Sequence, residues 1–317
     1  MAESYDVVVI GAGPAGLTAG LYAVRSGLST VVLEAQFPGG QAITTDVVDN
    51  FPGFPGGISG MELAGKMQSQ AEDAGVEIRL ERVLAVEADP EVRGWAVCTE
   101  SSCFRTLTVI VASGAHPRKL NVPGEERFWG RGISCCATCD GAFFRDRKIV
   151  VVGGGDTAVK EATFLTKFAR EIVLVHRRDR LRATKILQDR LFATGDQVKV
   201  LYDSVVTEIR GSDLVEGVVV RNLHTNGTEV ISCEGVFLFV GFIPNSDFLP
   251  DSVDRNERGY ILADQEMATS APGIFACGDV RKKPLRQIVT ACGEGATAAY
   301  SALHHVEELK GTTYPGR

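Results

Sequence analysis

The chain has 317 residues, of which 44% are hydrophobic and 23% charged, the make-up of a folded globular protein with room for about two domains. Its formal charge of −7 argues against a general nucleic-acid surface, and no apolar run approaches the length of a membrane span. Eight cysteines are too few for a disulfide scaffold, and no secretory leader precedes the first apolar run. A reducing cytoplasmic setting is therefore expected, where paired thiols serve catalysis or metal binding.

Tyr5–Ile10 reads as a buried parallel strand, followed by Gly11-Ala12-Gly13-Pro14-Ala15-Gly16. A helical run from Pro14 to Ser26 and a second strand, Thr30–Leu33, end at Glu34. This is the context in which Gly-x-Gly-x-x-Gly binds a dinucleotide. The glycines admit a pyrophosphate to the helix N-terminus, and Glu34 stands where a carboxylate accepts hydrogen bonds from an unphosphorylated ribose. Two Gly/Pro-rich loops follow, Phe37–Gln41 and Asn50–Gly57. Gly60–Ala74 reads as an amphipathic helix, and Val76–Leu80, Val83–Val86, Trp95–Thr99 and Phe104–Ala112 as strands. Cys98 and Cys103, separated by four residues, have a spacing that can form a redox pair, but they flank a hairpin turn away from any nucleotide turn and read as ordinary free thiols.

Cys136 and Cys139 lie at Cys-x-x-Cys spacing with Asp140 directly after. The spacing suits a reversible disulfide or half of a metal site. Next, Lys148–Val152 reads as a buried strand running into Gly153-Gly154-Gly155-Asp156-Thr157-Ala158, which matches Gly-x-Gly-x-x-Ala. A helix is expected over Thr157–Ala169, and a strand over Ile172–Val175. His176 follows Ala158 by 18 residues, as Glu34 follows Gly16, and Arg177, Arg178, Arg180 and Arg182 stand close behind. Exchanging an acid for His and Arg suits a ribose phosphate, so this second unit is expected to hold NADPH. A hydride donor beside a thiol pair calls for a flavin to link them, which assigns FAD to the first unit.

With these motifs in this order, the chain resembles the low-molecular-weight, prokaryote-type thioredoxin reductases over essentially its whole length. The most specific parts are Cys136-Ala137-Thr138-Cys139-Asp140 ahead of the second glycine turn, and His176-Arg177-Arg178 with Arg182. The resemblance implies an α/β fold of two Rossmann-like, three-layer β/β/α domains. In it an NADPH domain, 117–244, is inserted into a split FAD domain, 1–116 and 245–317. His116–Lys119 and Gly241–Asn245 would be the hinges about which one domain rotates. The resemblance adds Gly39, Gly40, Gln41, Asn50, Gly114, Gly278, Asp279, Arg286, Gln287 and Ile288 to the FAD contacts, with Arg286-Gln287-Ile288 opening a final helix to Leu309. Gly11, Gly13, Pro14, Ala15, Gly16 and Glu34 complete that site; Gly153, Gly155, Asp156, Thr157 and Ala158 join the basic cluster in the other.

The implied activity is reduction of the disulfide of thioredoxin or a thioredoxin-like protein by NADPH. Cys139 would face the flavin, Cys136 would attack the partner, and Asp140 would move the proton. Gly141–Phe144 would open a short helix favouring the thiolate. A homodimer is implied, and neither a metal, a nucleic acid nor a membrane. The chain departs from the family pattern at the extra thiol Cys135, at Ser113 where Thr is usual, at Lys160 where an acid is common, and at Cys277 and Cys292, which lie near the expected FAD contacts and read as small buried residues. Two other readings share part of the pattern: an FAD-dependent dithiol oxidase using oxygen, and a zinc-binding, nucleotide-responsive regulator.

Overall fold

The structure, a computed structural model, describes residues 3–45 and 47–312. The first part of the chain carries β1 (Ser4–Ile10), α1 (Pro14–Arg25), β2 (Thr30–Leu33), α2 (Gly60–Asp73), β3 (Glu77–Arg79), β4 (Val83–Asp89), β5 (Gly94–Thr99), β6 (Cys103–Val111) and β7 (Ala115–Pro117). The middle carries α3 (Glu125–Phe128), β8 (Ile133–Ser134), α4 (Ala137–Asp140), β9 (Lys148–Val152), α5 (Asp156–Leu165), β10 (Glu171–Val175) and α6 (Lys185–Phe192). It continues through β11 (Val198–Leu201), β12 (Ser204–Gly211), β13 (Val215–Asn222), β14 (Thr228–Ser232), β15 (Gly235–Leu238) and β16 (Phe242–Pro244). β17 (Ile274–Ala276) and α7 (Ile288–Lys310) end it. Two compact units result: Met1–His116 with Ile243–Arg317, and Pro117–Phe242.

The first unit is built on a sheet of order β3-β2-β1-β6-β5-β4, with β17 also paired to β6. β1, β2, β3, β6 and β17 run parallel, whereas β4, β5 and β6 form an antiparallel meander. Alternation along β1 assigns the two faces. Val7 and Val9 pack with α1 and α7, while Val8 and Ile10 pack with Val97, Phe104, Leu249 and Val253. A strand buried on both sides has to be apolar at every position, which is why this segment reads as an unbroken β-branched run.

The second unit repeats the plan with a parallel sheet of order β11-β10-β9-β15-β8. Ile149 and Val151 of β9 face α5, and Val150 and Val152 face Val218, Val220 and Ile231 of the antiparallel sheet β12-β13-β14. Each unit is thus a layer of helices, a parallel sheet and an antiparallel β layer, the three-layer α/β architecture expected.

Two helix limits differ from the sequence expectation. α5 stops at Leu165 rather than Ala169, because Lys167 and Phe168 donate backwards three residues, to Phe164 and Leu165, and tighten the chain out of α geometry. α7 begins at Ile288: Gln287 is extended and caps the helix in a reciprocal pair with Thr290, so Arg286 and Gln287 lie ahead of it. Among the described residues no helix is long and apolar enough to cross a membrane.

α7 and α1 approach closely enough to touch backbone to backbone. A Cβ on Gly295 would sit 2.2 Å from the Ala15 carbonyl oxygen, whereas one on Gly293, a half-turn away, meets nothing within 4 Å. Opposite outcomes are expected on the same helix. Gly295→Ala should lower unfolding free energy by about 1–3 kcal/mol through overpacking, and Gly293→Ala should raise it by roughly 0.5–1 kcal/mol through helix propensity. Urea denaturation of both variants checks the pair.

Candidate active site

In the first unit the sequence-predicted residues converge on the turn between β1 and α1. Gly11 has φ +102°, and a Cβ on Gly16 would lie 1.8 Å from the Gly11 oxygen, so both positions require glycine. Pro14 opens the helix, where its missing N–H costs nothing. The Ala12 N–H donates to Glu34 Oε2 at 2.7 Å and the Gln36 N–H to Oε1 at 3.0 Å, which fixes the carboxylate at the end of β2 beside the turn. The Gly39 N–H donates to the Ala12 oxygen at 2.7 Å, folding the Gly39-Gly40 loop over the turn. Gln41 is exposed in the 3₁₀ turn Gly40–Thr44. Asn50 Nδ2 donates to Gln287 Oε1 at 3.0 Å, and Ile288 packs against the cluster of Val48, Ile58 and Leu63.

The end of β6 is held by a residue sequence reasoning placed only in a hinge. Ser113 Oγ donates to the Asn245 oxygen at 2.6 Å, and Asn245 Nδ2 donates back to the Ser113 oxygen at 2.8 Å. The backbone N–H of Asn245 is bonded to the Gly114 oxygen. Gly278 approaches Ala15, with an ideal Cβ 2.9 Å from the alanine Cβ.

Asp279 Oδ1 is buried without a hydrogen-bond partner, although Lys283 Nζ approaches it as an ion pair at 3.3 Å. Burial raises its pKa above the usual carboxylate value, with Lys283 opposing. Arg286 stacks over Tyr260 at 4.4 Å, and its Nε also lacks a partner.

A charge network around Glu294 was missed in the sequence. Its carboxylate accepts the Gly278 N–H at 2.8 Å and pairs with Arg281 and Lys283, each at 3.3 Å. The only available hint was that Lys283 falls four residues after Asp279.

In the second unit Cys136 and Cys139 form a disulfide, with Cα atoms 5.3 Å apart. Ala137, fully buried against the α5 layer, anchors the motif. The single helical turn is α4 itself, capped by Cys136, and Gly141–Phe144 is a 3₁₀ turn instead of the helix expected there. The Cys139 N–H donates to Cys136 Sγ at 3.2 Å. Ser134 Oγ donates to Asp140 Oδ2 at 2.5 Å and accepts the Cys136 N–H at 3.0 Å, tying the carboxylate to the pair. The neighbouring thiol, Cys135, is pushed up to about 11 by burial and by the Asp140 charge. It stays protonated near neutrality and is a poor competitor for exchange. Among the described residues no group of three or more His, Cys, Asp or Glu side chains could hold a metal.

Beyond β9 the second glycine turn is shaped by His176. A Cβ on Gly154 would stand 2.1 Å from the His176 Nδ1, so only glycine lets the ring pack there. The ring is 5% exposed and its Nε2 has no partner. The Arg182 N–H donates to the Gly154 oxygen at 2.7 Å, which lays that residue along the turn, and Arg177, Arg178 and Arg182 are exposed. Gly155 caps α5, Ala158 is buried beneath it, and Thr157 is exposed. Asp156 Oδ1 accepts the Thr184 N–H at 2.7 Å.

Cys98 and Cys103 correct a sequence expectation. They are joined in a disulfide and are not free thiols. The four-residue turn places them directly opposite each other on β5 and β6.

This arrangement belongs to a nucleotide-dependent disulfide oxidoreductase. Residues 5–295 match the pyridine nucleotide-disulphide oxidoreductase family, and the chain is a member of it. It is 45% identical over 307 residues to a thioredoxin reductase of Listeria monocytogenes, covering 96% of this chain and 95% of that one. To a thioredoxin reductase of Bacillus subtilis it is 44% identical over 309 residues, covering 97% and 96%. The crystal structure of the thioredoxin reductase from Streptococcus pyogenes matches with a TM-score of 0.89 at 47% identity, over 97% of this chain and 100% of that one. FAD and NADPH are the cofactors that go with this family.

Burial of His176, with the Arg182 and Arg178 charges adding, holds its imidazole pKa below the ordinary value; hydrogen bonds with the backbone of Arg180 and Gly153 oppose this. The unfolded chain then binds the proton at higher pH than the folded one. Stability is complete above about pH 6.5 and is lost as pH falls. His305, lowered by burial, acts in the same direction. The urea midpoint should drop between pH 7.5 and 5.5, and His176→Gln should flatten, without abolishing, that slope.

Proposed function

We propose that this chain is a thioredoxin reductase, which passes electrons from NADPH to the disulfide of thioredoxin or a thioredoxin-like protein through Cys136 and Cys139. The observation that carries the reading is the formed Cys136–Cys139 disulfide, held beside Asp140 by Ser134, in a family of disulfide oxidoreductases.

The unit of residues 1–116 and 245–317 is the FAD domain. The glycine turn, the Glu34 carboxylate, the Asp279 carboxylate beside Lys283 and the Arg286 guanidinium, whose Nε is buried without a partner, fit a dinucleotide with a hydroxyl-rich chain. Gly40, Gln41, Asn50, Gly114, Gln287 and Ile288 complete the cradle. FAD, when bound, supplies a two-electron acceptor for hydride and a donor to a disulfide. The domain of residues 117–244 holds NADPH, with the pyrophosphate at the N-terminus of α5 and the ribose phosphate among Arg177, Arg178 and Arg182. These exposed cations, at the strand end beside the glycine turn, support that placement.

The protein's own residues perform the exchange. With the pair reduced, Asp140 takes the Cys136 proton, and the Cys136 thiolate attacks the partner's disulfide and displaces one partner sulfur, to which Asp140 returns that proton. Cys139 then gives up its own proton and attacks Cys136, re-forming the intrachain disulfide and releasing the partner's second sulfur, which takes a proton to become a thiol. The Cys139 N–H stabilises negative charge on Cys136 Sγ, which supports Cys136 as the sulfur that carries it. The protein acts in the cytoplasm as a homodimer.

Cys136→Ser should abolish NADPH-driven reduction of thioredoxin, measured by thiol release, while leaving flavin content unchanged; full turnover by this variant would refute the role of Cys136. For Arg177→Ala with Arg178→Ala, losing two charge-assisted hydrogen bonds at about 1.5–3 kcal/mol each should lower kcat/KM for NADPH at least roughly 100-fold. The value for NADH should scarcely change. Steady-state kinetics with the two donors checks this.

A further inference from the structure

The disulfide between Cys98 and Cys103 lies outside everything assigned above. The Thr99 N–H donates to the Ser102 oxygen at 2.8 Å, one step beyond the cysteines. Cys98 and Cys103 are therefore a non-hydrogen-bonded antiparallel pair, the kind in which side chains stand closest. The turn is fixed without the sulfurs. The Ser101 and Ser102 N–H groups donate to Thr99 Oγ1, and the Thr99 and Ser101 hydroxyls donate to Glu81 Oε2. Behind it the strands stay paired as far as Trp95 and Thr106, with Trp95, Val97 and Phe104 buried. A bond closing so short a loop removes less freedom from the unfolded chain than one closing a long loop. The fold neither needs this bond nor has to move to lose it.

Access is provided as well. Cys103 is exposed and Cys98 partly so. The pair sits at the start of β6, whose nine residues put roughly 30 Å between it and the glycine turn at the strand's far end. The exposed Cys103 sulfur is open to thiols in solution.

We propose that Cys98–Cys103 is a second, reversible thiol–disulfide centre that exchanges with dithiols and disulfides in solution, independently of Cys136 and Cys139. A thiolate of the reducing dithiol attacks Cys103 Sγ. The bond to Cys98 breaks, and Cys98 leaves as a thiolate and takes a proton from water. The second thiol of the reductant, after losing its proton, attacks the reductant's own sulfur in the mixed disulfide and expels Cys103, which is protonated in turn. Two electrons and two protons reach the protein, and the reductant becomes a disulfide. A low-molecular-weight disulfide such as oxidised glutathione reverses the change. None of this depends on the reductase reading.

The test uses the full-length Cys136→Ser/Cys139→Ser protein. Cys98 and Cys103 share one tryptic peptide, residues 94–105, that contains no other cysteine. The folded protein is treated with dithiothreitol, or with dithiothreitol followed by excess oxidised glutathione, then alkylated, digested and weighed. Two labels on that peptide after dithiothreitol and none after glutathione are expected. Cys98→Ser/Cys103→Ser, built in the otherwise native sequence, should still unfold cooperatively, with a thermal midpoint lowered by no more than about 8 °C. The proposal is overturned if the peptide stays unlabelled in dithiothreitol until the protein is unfolded, which makes the bond structural. It is equally overturned if the peptide remains doubly labelled after glutathione, or if the double variant loses its thermal midpoint.

Discussion

The nucleotide turn of the first unit depends on how closely α7 is pressed onto α1. Gly295 admits the Ala15 carbonyl, and Gly278 admits the Ala15 side chain. That contact joins α7 and the Gly278 turn to the start of α1. The same approach brings Glu294 within reach of the Gly278 N–H and lets it neutralise Arg281 and Lys283, the latter with its side chain 4% exposed. Buried cations this close to Asp279 are tolerable only while their carboxylate is in place. A side chain at position 295 would therefore disturb the packing of two helices, the charge network and the position of the Gly278–Asp279 turn together.

The second unit applies the same architecture to a different ligand by changing a few side chains. Strand, glycine turn and helix recur, and each sheet has helices on one face and antiparallel strands on the other. Where the first unit ends its second strand with an acid held by two backbone N–H groups, the second places a buried imidazole against Gly154. Arginines stand just beyond it. Charge at one strand end separates the two units, while the strand–glycine turn–helix backbone is common to both.

The parts legible in the sequence were those fixed by local rules. β1 and β9 are apolar at successive positions because both faces are buried, and the glycine spacings reflect contacts within one turn. The equal offset of Glu34 and His176 made the charge reversal readable. What was not legible depended on register or on distant contacts. The spacing of Cys98 and Cys103 allowed a pair, but which strand positions lie opposite decides the pairing, and the sequence does not state that register. Glu294 and Lys283 look like ordinary surface charges until α7 is folded onto the turn. Asn245 binds Ser113 across 132 positions of chain, beyond any periodic pattern. The helical turn at Cys136 was assigned one step too late, since four residues give no periodicity to read.

The account rests on electrons from NADPH reaching one particular pair of sulfurs. Anaerobic addition of one equivalent of NADPH to flavin-loaded protein, followed by alkylation and peptide mass mapping, tests this most directly. The account predicts that NADPH is consumed and that Cys136 and Cys139 both become labelled, while the peptide of residues 94–105 stays unlabelled. Consumption of NADPH with Cys136 and Cys139 still joined would contradict it.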